Sequence, residues 1–188
     1  MLYASEFDSA TSACYIVSKT APVLWRMIGS CLMPAIRLLC IGKLKEPFFK
    51  DAQDEYIKRL SAFARVEVIE KKETPLPADA PEALVRRAQK EEGEALLSAR
   101  RGALIALSPE GEKLTSEAFS ALVRKYADAG EICFAIGGSC GLGAEVKASA
   151  SKIVSFSDMT MPHTLFRVVL LEQIYRAFMI SEGRTYHK

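Results

Sequence analysis

The sequence predicts an α/β protein with a mainly parallel sheet that is flanked by helices. Two observations lead to this fold class. Strand patterns alternate with helix patterns along the chain, which is typical of a parallel sheet whose connections are helices. Two of the strands are short, continuous apolar runs, at residues 103–107 and 132–136, as expected for strands covered on both faces.

Length and composition are those of one ordinary globular domain. The chain has 188 residues, 49% hydrophobic and 26% charged, enough to bury a real core. Its 25 basic and 23 acidic residues leave a net charge of only +2, which is not the strongly basic balance of most nucleic-acid-binding domains. If the partner is RNA, the contact must come from a local patch or from an assembled oligomer.

The cysteines and histidines do not predict a metal site. Five cysteines are scattered without a CxxC pair, and only two histidines are present, so zinc is not expected. Such cysteines fit a reducing compartment, and we expect a cytoplasmic protein. No apolar run approaches the roughly 18 residues that a membrane span needs, and the start does not resemble a secretory signal.

The first 32 residues differ from the rest because they have no sustained periodicity. We interpret residues 1–32 as an N-terminal extension, disordered or the product of a misassigned start, and residues 33–188 as the domain. The alternative is a helix from about Ala21 to Leu32 that packs on the domain. At Met33 the pattern changes to a buried strand that ends at Gly42.

The next elements follow from periodicity and from helix-breaking residues. Pro47 is placed to begin a helix, and the apolar residues after it recur at spacings of three and four. A second strand is predicted at residues 65–70, then a proline-containing loop at 71–81. Residues 82–100 form a charged helix, whose Glu and Arg positions we expect to be a solvated face.

The second half continues the alternation. The strand at 103–107 is followed by a predicted turn at 108–111 and by a helix that Thr115 or Ser116 can cap. The strand at 132–136 runs into a glycine loop at 137–143, then a short helix and a last strand at 152–156. The final helix, 163–181, is apolar on nearly every side, which predicts cover from the core and from a second subunit.

The carboxyl ends of parallel strands are where such sheets bind ligands. Three strand ends carry loop chemistry, after Leu107, after Ile136 and after Phe156. The glycine loop is neither GxGxxG nor a P-loop. Its spacing favours tight turns, and close approach to a ligand is the sharper alternative.

His163 and Arg167 lie four residues apart, so one face of the final helix presents both. A lone histidine is more often structural than a general base. An arginine in so apolar a helix needs a partner, either Glu172 of a second subunit or an anionic ligand. The tail, with Arg184, Tyr186, His187 and Lys188, is either a solvated end or a substrate contact.

Several segments together resemble one family, the RlmH family of bacterial SPOUT-class methyltransferases. The resemblance runs in order and with matching spacing from Met33 to Lys188, and residues 1–32 have no counterpart in it. It rests on these segments: Ile41-Gly42-Lys43-Leu44-Lys45; Ile136-Gly137-Gly138-Ser139 with Gly141-Leu142; Phe156-Ser157 with Met159-Thr160 and Pro162-His163; Arg167-Val168-Val169-Leu170 with Glu172-Gln173 and Tyr175-Arg176-Ala177; and Tyr186-His187-Lys188.

The resemblance implies a C-terminal trefoil knot, a homodimer through the knot helices, and S-adenosylmethionine held by three loops. The implied cofactor-binding residues are Leu107, Gly137, Phe156, Ser157, Asp158, Met159, Thr160 and Met161. The implied reaction is methylation of N3 of pseudouridine 1915 of 23S rRNA in assembled ribosomes. The groups available to deprotonate that imide or stabilise its anion are His163, Arg167, Tyr186 and His187. The alternatives are a SPOUT methyltransferase of another rRNA or tRNA position and a non-enzymatic ribosome-binding module.

Overall fold

The structure is a computed structural model that describes residues 33–186. The described residues belong to one compact unit. The predicted extension at 1–32, the alternative helix from Ala21 to Leu32, and the tail residues His187 and Lys188 lie outside the described residues.

The described part contains one five-stranded sheet in the order β2-β1-β4-β3-β5, and every strand pair is parallel. This confirms the predicted fold class, while the knot stays a prediction. The strands are β1 (Ala35–Ile41), β2 (Arg65–Lys71), β3 (Ala103–Lys113), β4 (Glu131–Ile136) and β5 (Lys152–Ser155). The helices are α1 (Pro47–Leu60), α2 (Glu82–Ser98), α3 (Ser116–Ala127), α4 (Ala144–Ala148) and α5 (His163–Ser181).

Helices cover both faces of the sheet and create two hydrophobic cores. Alternate residues of a strand point to opposite faces, so neighbours in β1 serve different cores. Leu38 belongs to the core beneath α1, α3 and α5, and Leu39 to the core beneath α2 and α4. Both side chains are fully buried. The central strands are therefore apolar without interruption because both of their faces are covered.

The predicted turn at residues 108–111 is wrong. β3 continues to Lys113, and its pairing with β5 shifts register between Leu107 and Glu112. A proline is tolerated where the ladder is interrupted, and Pro109 lies within this shift. A Cβ on Gly111 would lie 2.5 Å from the carbonyl carbon of Val154, so the close approach of the two strands requires glycine there.

The ends of two helices agree with the sequence. Pro47 is the first residue of α1, a position where the missing N–H costs nothing. The Thr115 hydroxyl accepts a hydrogen bond from the N–H of Ala118 (3.2 Å), which confirms one of the two predicted caps of α3.

The solvated face predicted for α2 has one exception, Glu92. Its side chain is buried and accepts a hydrogen bond from the N–H of Thr74 (2.8 Å). Burial raises the pKa of Glu92, while the hydrogen bond from Thr74 opposes that shift. Glu92 therefore fixes the loop that follows β2 instead of facing solvent.

The final helix, α5, begins and ends where the sequence predicts, at His163 and Ser181. Its inner side packs on the sheet through Arg167, Leu170, Leu171, Ile174 and Ala177. Among the helices in the described part of the chain, none is long and apolar enough to cross a membrane.

Candidate active site

The three positions selected from the sequence meet at one edge of the sheet, although Leu107 lies at the register shift inside β3 and not at a strand end. Leu107 of β3 is in register with Ile136 of β4 on one side and with Val154 of β5 on the other. Gly137 and Phe156 follow those neighbours within one and two residues. The loops predicted to hold a cofactor are therefore adjacent in space.

The glycine loop after β4 is folded tightly on itself. The N–H of Gly141 donates to the carbonyl of Gly138 (3.0 Å), and a Cβ on Gly137 would lie 2.5 Å from the carbonyl carbon of Gly141. The Gln89 side-chain amide donates to the carbonyl of Cys140 (2.7 Å) and ties the loop to α2. Turn geometry and packing thus explain the glycine at position 137, which agrees with the favoured interpretation.

The loop after β5 is held in shape by its own polar groups. The hydroxyl of Ser155 donates to the carbonyl of Ser157 (3.0 Å), and the N–H of Met159 donates to the hydroxyl of Ser157 (3.0 Å). Asp158 pairs with Lys113 at the end of β3. The side chain of Met159 remains 74% exposed, so the loop presents an apolar group to solvent.

A cavity of about 240 Å³ opens beside this loop. Phe156 and Met161 line it, with apolar walls from Val154 and Val169 and hydroxyls from Thr115 and Ser116. The Phe156 ring is held in edge contact with Phe119 (5.3 Å) and packs against Phe166 (5.2 Å). The cavity thus combines apolar side chains with hydrogen-bonding groups, as small-molecule sites do.

His163 is the first residue of α5, and it lies over the end of β1. A Cβ built on Gly42 would be 3.2 Å from Nε2 of His163 and 3.5 Å from Oε2 of Glu73. Gly42 has a positive φ of 82°, a conformation that favours glycine, and a Cβ there would also crowd the imidazole. The imidazole and the Glu73 carboxylate therefore approach the same point of the backbone.

Glu73 links three strand ends. It follows β2, its Oε1 accepts a hydrogen bond from the N–H of Ser139 in the glycine loop (3.1 Å), and its Oε2 is near Gly42 at the end of β1. The Ser139 hydrogen bond lowers the pKa of Glu73, and the nearby His163 and Lys45 lower it further against the opposing effect of burial. Glu73 is therefore a carboxylate, and a hydrogen-bond acceptor, at neutral pH.

Arg167 also reaches Gly42, from the next turn of α5. Its Nη2 donates to the carbonyl of Gly42 (2.6 Å), and its Nη1 pairs with Oε1 of Glu70 (2.6 Å). The Arg167 side chain has no exposed surface, and its Nε has no hydrogen-bond partner among the described residues. The expected convergence of His163 and Arg167 on one side of the helix is present, with Gly42 as the meeting point.

Glu70 and Glu73 are not among the residues that the sequence predicted for the site, although one signal for Glu70 is present in it. Val66, Val68 and Glu70 alternate along β2, which places the carboxylate on the apolar face of the strand. A charge on that face needs a partner just as the lone arginine of α5 does. Pairing these two unexplained charges would have predicted the contact.

Tyr186 follows α5 in the chain and packs against the middle of that helix, away from His163. Its hydroxyl donates to Oε1 of Glu172 (3.3 Å), and its ring packs edge-on against Tyr175 (5.0 Å) and beneath the Arg176 guanidinium (5.0 Å). Burial and the Glu172 charge raise the pKa of Tyr186. His163 and Glu172 are nine residues apart, about 13 Å along a helix. Within one chain, the structure does not bring Tyr186 to His163.

Comparison with known proteins identifies the family. The profile described as "Predicted SPOUT methyltransferase" matches residues 35–187. The chain is 46% identical over 157 residues to ribosomal RNA large subunit methyltransferase H of Bifidobacterium animalis, an alignment covering 81% of this chain and 99% of that protein. The protein of the same name from Streptococcus uberis is 43% identical over the same coverage.

The chain belongs to the RlmH family of SPOUT methyltransferases. A solved structure, of a probable methylase family protein from Haemophilus influenzae, is similar with a TM-score of 0.49 and 12% identity, over 84% of this chain and 72% of that one. The cofactor of SPOUT methyltransferases is S-adenosylmethionine.

The residues of this RlmH-family chain fit that cofactor in chemical character. The register shift of β3 lies beside the ends of β4 and β5, where backbone groups come together, and the neighbouring cavity is lined by both apolar and polar side chains. Among residues 33–186 there is no cluster of three His, Cys, Asp or Glu side chains that could hold a metal ion.

Proposed function

We propose that this protein methylates N3 of pseudouridine 1915 of 23S rRNA in assembled ribosomes, with S-adenosylmethionine as methyl donor. One observation carries the proposal: the match to proteins named ribosomal RNA large subunit methyltransferase H extends over 99% of their length at 42–46% identity. The site of action is cytoplasmic, where ribosomes work.

The cofactor is assigned to three neighbouring segments of β3, of the glycine loop after β4 and of the loop after β5. Backbone groups at Leu107 and Gly137 and the loop of residues 156–161 would hold it, with Phe156 and Met161 as apolar walls. When bound, S-adenosylmethionine supplies a methyl group on a positively charged sulfur, which needs no further activation. The protein's task is then to align the nucleophile and to manage its proton.

The nucleophile is a neutral imide nitrogen, which must lose a proton before its electron pair can attack. His163 is the group we assign to that proton, because its Nε2 lies at the sheet edge beside Gly42, next to the cofactor loops. Arg167 has no exposed surface, so its effect on the anion would be exerted through Gly42 and Glu70 and not by contact. Because Tyr186 does not reach His163 within one chain, Tyr186 and His187 would join the site from the tail of a second subunit.

A homodimer formed through the outward side of α5 completes the proposal. Leu165, Val169, Glu172 and Arg176 recur at spacings of four, three and four, which places them on one face of the helix. Leu165 is 38% exposed, and the tail packs on this face through Tyr186 and Glu172. A second subunit seated there would also contact the tail.

The test is methylation of ribosomes from cells that lack this modification. The protein is incubated with labelled S-adenosylmethionine and either whole ribosomes or free large subunits, and the modified nucleotide is mapped by mass spectrometry. We expect label on pseudouridine 1915 in whole ribosomes. Label on another position or in tRNA would support a different SPOUT specificity, and cofactor binding without transfer to any RNA would contradict an enzymatic role.

His163→Gln and His163→Ala give the matched test of the base. Both variants should bind S-adenosylmethionine as the wild type does, and both should lower kcat for methylation by about a hundredfold, a typical contribution of general base catalysis. Wild-type rates in either variant would remove His163 from the mechanism.

A further inference from the structure

Three exposed lysines adjoin the site, and their side chains form no hydrogen bond or ion pair with a described residue. They are Lys43, Lys45 and Lys50, from the loop between β1 and α1 and the first turn of α1. Other lysines of the chain do have carboxylate partners: Lys113 pairs with Asp158, Lys147 with Glu110 and Lys152 with Glu112. The three free ammonium groups concentrate positive charge at one place in a chain whose net charge is only +2.

A groove of about 370 Å³ lies between two of these lysines. Its lining residues are Lys43, Leu44, Lys50, Gln53, Val68 and Glu70. The only carboxylate among them, Glu70, is already paired with the buried Arg167. The groove therefore presents two positive charges that nothing in its own lining neutralises, which favours an anionic occupant.

An aromatic ring accompanies the lysines. Phe48 is 63% exposed in the first turn of α1, and its ring contacts the ring of Phe49 (4.4 Å). An exposed phenylalanine between lysines leaves apolar surface in water, which a binding partner would cover. Nucleic-acid-binding grooves combine these two features, because cations neutralise the phosphates and every base has a face that can stack on a ring.

The loop that carries the lysines is fixed by the site itself. The N–H of Leu44 donates to Oε1 of Glu70 (3.1 Å), the same oxygen that pairs with Arg167. Arg167 also bonds the carbonyl of Gly42, the residue before Lys43. Lys43, the first of the three lysines, therefore directly follows Gly42, the residue that lies against His163.

From these observations we infer that the lysine–phenylalanine face, consisting of Lys43, Lys45, Phe48 and Lys50, binds the RNA next to the target nucleotide. The ammonium groups contact backbone phosphates, and Phe48 stacks on an unpaired base. This inference rests on the proposed function, since it names a surface that would hold the rRNA beside the methylation site.

The test compares Lys43→Ala/Lys45→Ala with Lys58→Ala/Lys125→Ala. The control pair removes the same charge from exposed lysines near the C-terminal ends of α1 and α3, which lead into the opposite edge of the sheet. Methylation is measured against ribosome concentration at several KCl concentrations, and S-adenosylmethionine binding is measured by calorimetry. A parallel comparison uses Phe48→Ala and, as control, Leu84→Ala, a 44% exposed residue of α2.

We expect the first pair to raise KM for ribosomes about tenfold with kcat changed less than twofold. The slope of log kcat/KM against log KCl should fall by about two, one for each lost phosphate contact. Phe48→Ala should raise KM without changing the slope, while both controls and the cofactor affinity should stay at wild-type values.

Equal KM and equal salt slope in the first pair and its control would overturn the inference. So would a change of oligomeric state in Lys43→Ala/Lys45→Ala or in Phe48→Ala, because the face would then be an interface between two copies. Failure of the proposed function is distinguishable, because the wild type itself would then leave pseudouridine 1915 unlabelled.

Discussion

At the scale of single residues, Arg167 concentrates the chemistry of the site into a few contacts. It is a buried cation, and its ion-pair partner among the described residues is Glu70, a carboxylate 30% exposed. A buried ion pair contributes little net stability, yet removal of one partner leaves the other charge without compensation. The value of this pair lies in what it positions: Gly42, beneath His163, and the loop that begins at Lys43.

Replacement of Glu70 by alanine should destabilise the protein because Arg167 keeps its charge and cannot reach solvent. We expect a loss of about 2–3 kcal/mol in the free energy of unfolding, at the low end for such pairs because water reaches Glu70. Urea denaturation measures it. Glu67→Ala on the same strand is the control. Glu67 is 57% exposed, and its partner Arg37 keeps a second carboxylate, Glu131, so this variant should cost less than about 1 kcal/mol.

A double variant of Glu70 and Arg167 checks this explanation. Arg167→Met combined with Glu70→Ala should be more stable than Glu70→Ala alone, because the uncompensated charge is gone. A double variant as unstable as the sum of the two single variants would show that the charges do not interact.

The lowered pKa of Glu73 predicts how the stability of the fold changes with pH. Its pKa in the folded protein is below the ordinary 4.5, so the folded state binds the proton less readily than the unfolded state does. The ionised carboxylate therefore stabilises the fold above pH 4.5, and that stabilisation is lost as the pH falls through the lower folded pKa. Glu73→Gln should be less stable than wild type at pH 7, and the difference should shrink below pH 4.5. A difference that is constant between pH 7 and pH 3.5 in urea denaturation would contradict the assignment.

At the scale of elements, α5 has two faces with different tasks. The inner face fastens the helix to the sheet through buried residues such as Leu170 and Ile174. The outer face holds the Glu172–Arg176 pair, which Tyr186 covers, and the exposed Leu165. One helix therefore joins the His163 end of the site to the tail and to the proposed second subunit.

Leu165→Glu should separate the proposed dimer, because a buried interface would have to accept an unpaired carboxylate. We expect wild type to sediment at twice the 20.7 kDa of one chain and the variant at a single chain mass. Leu84→Glu is the matched control, since Leu84 is similarly exposed but lies on α2. A Leu165→Glu protein that still sediments as the wild type does would place the interface elsewhere.

At the scale of the whole molecule, the sequence predicts what depends on local pattern. Continuous apolar runs located the central strands, and the segments after Leu107, Ile136 and Phe156 located the candidate site. What it could not predict depends on distant partners: Arg167 and Glu70 are 97 residues apart. The extension of β3 beyond Leu107 likewise depends on contact with β5, because Pro109 and Gly111 carry the local signal of a turn.

The domain boundary gives the last prediction. All described helices and strands lie between residues 35 and 181, and the family profile matches residues 35–187. We therefore expect a chain that starts at Met33 to keep the urea midpoint and the ribosome methylation rate of the full chain. A chain that starts at Lys43 is the control, because it lacks β1, which pairs with both β2 and β4 in the centre of the sheet. That chain should not fold, whereas a lower midpoint or slower methylation in the Met33 chain would show that residues 1–32 contribute to the domain.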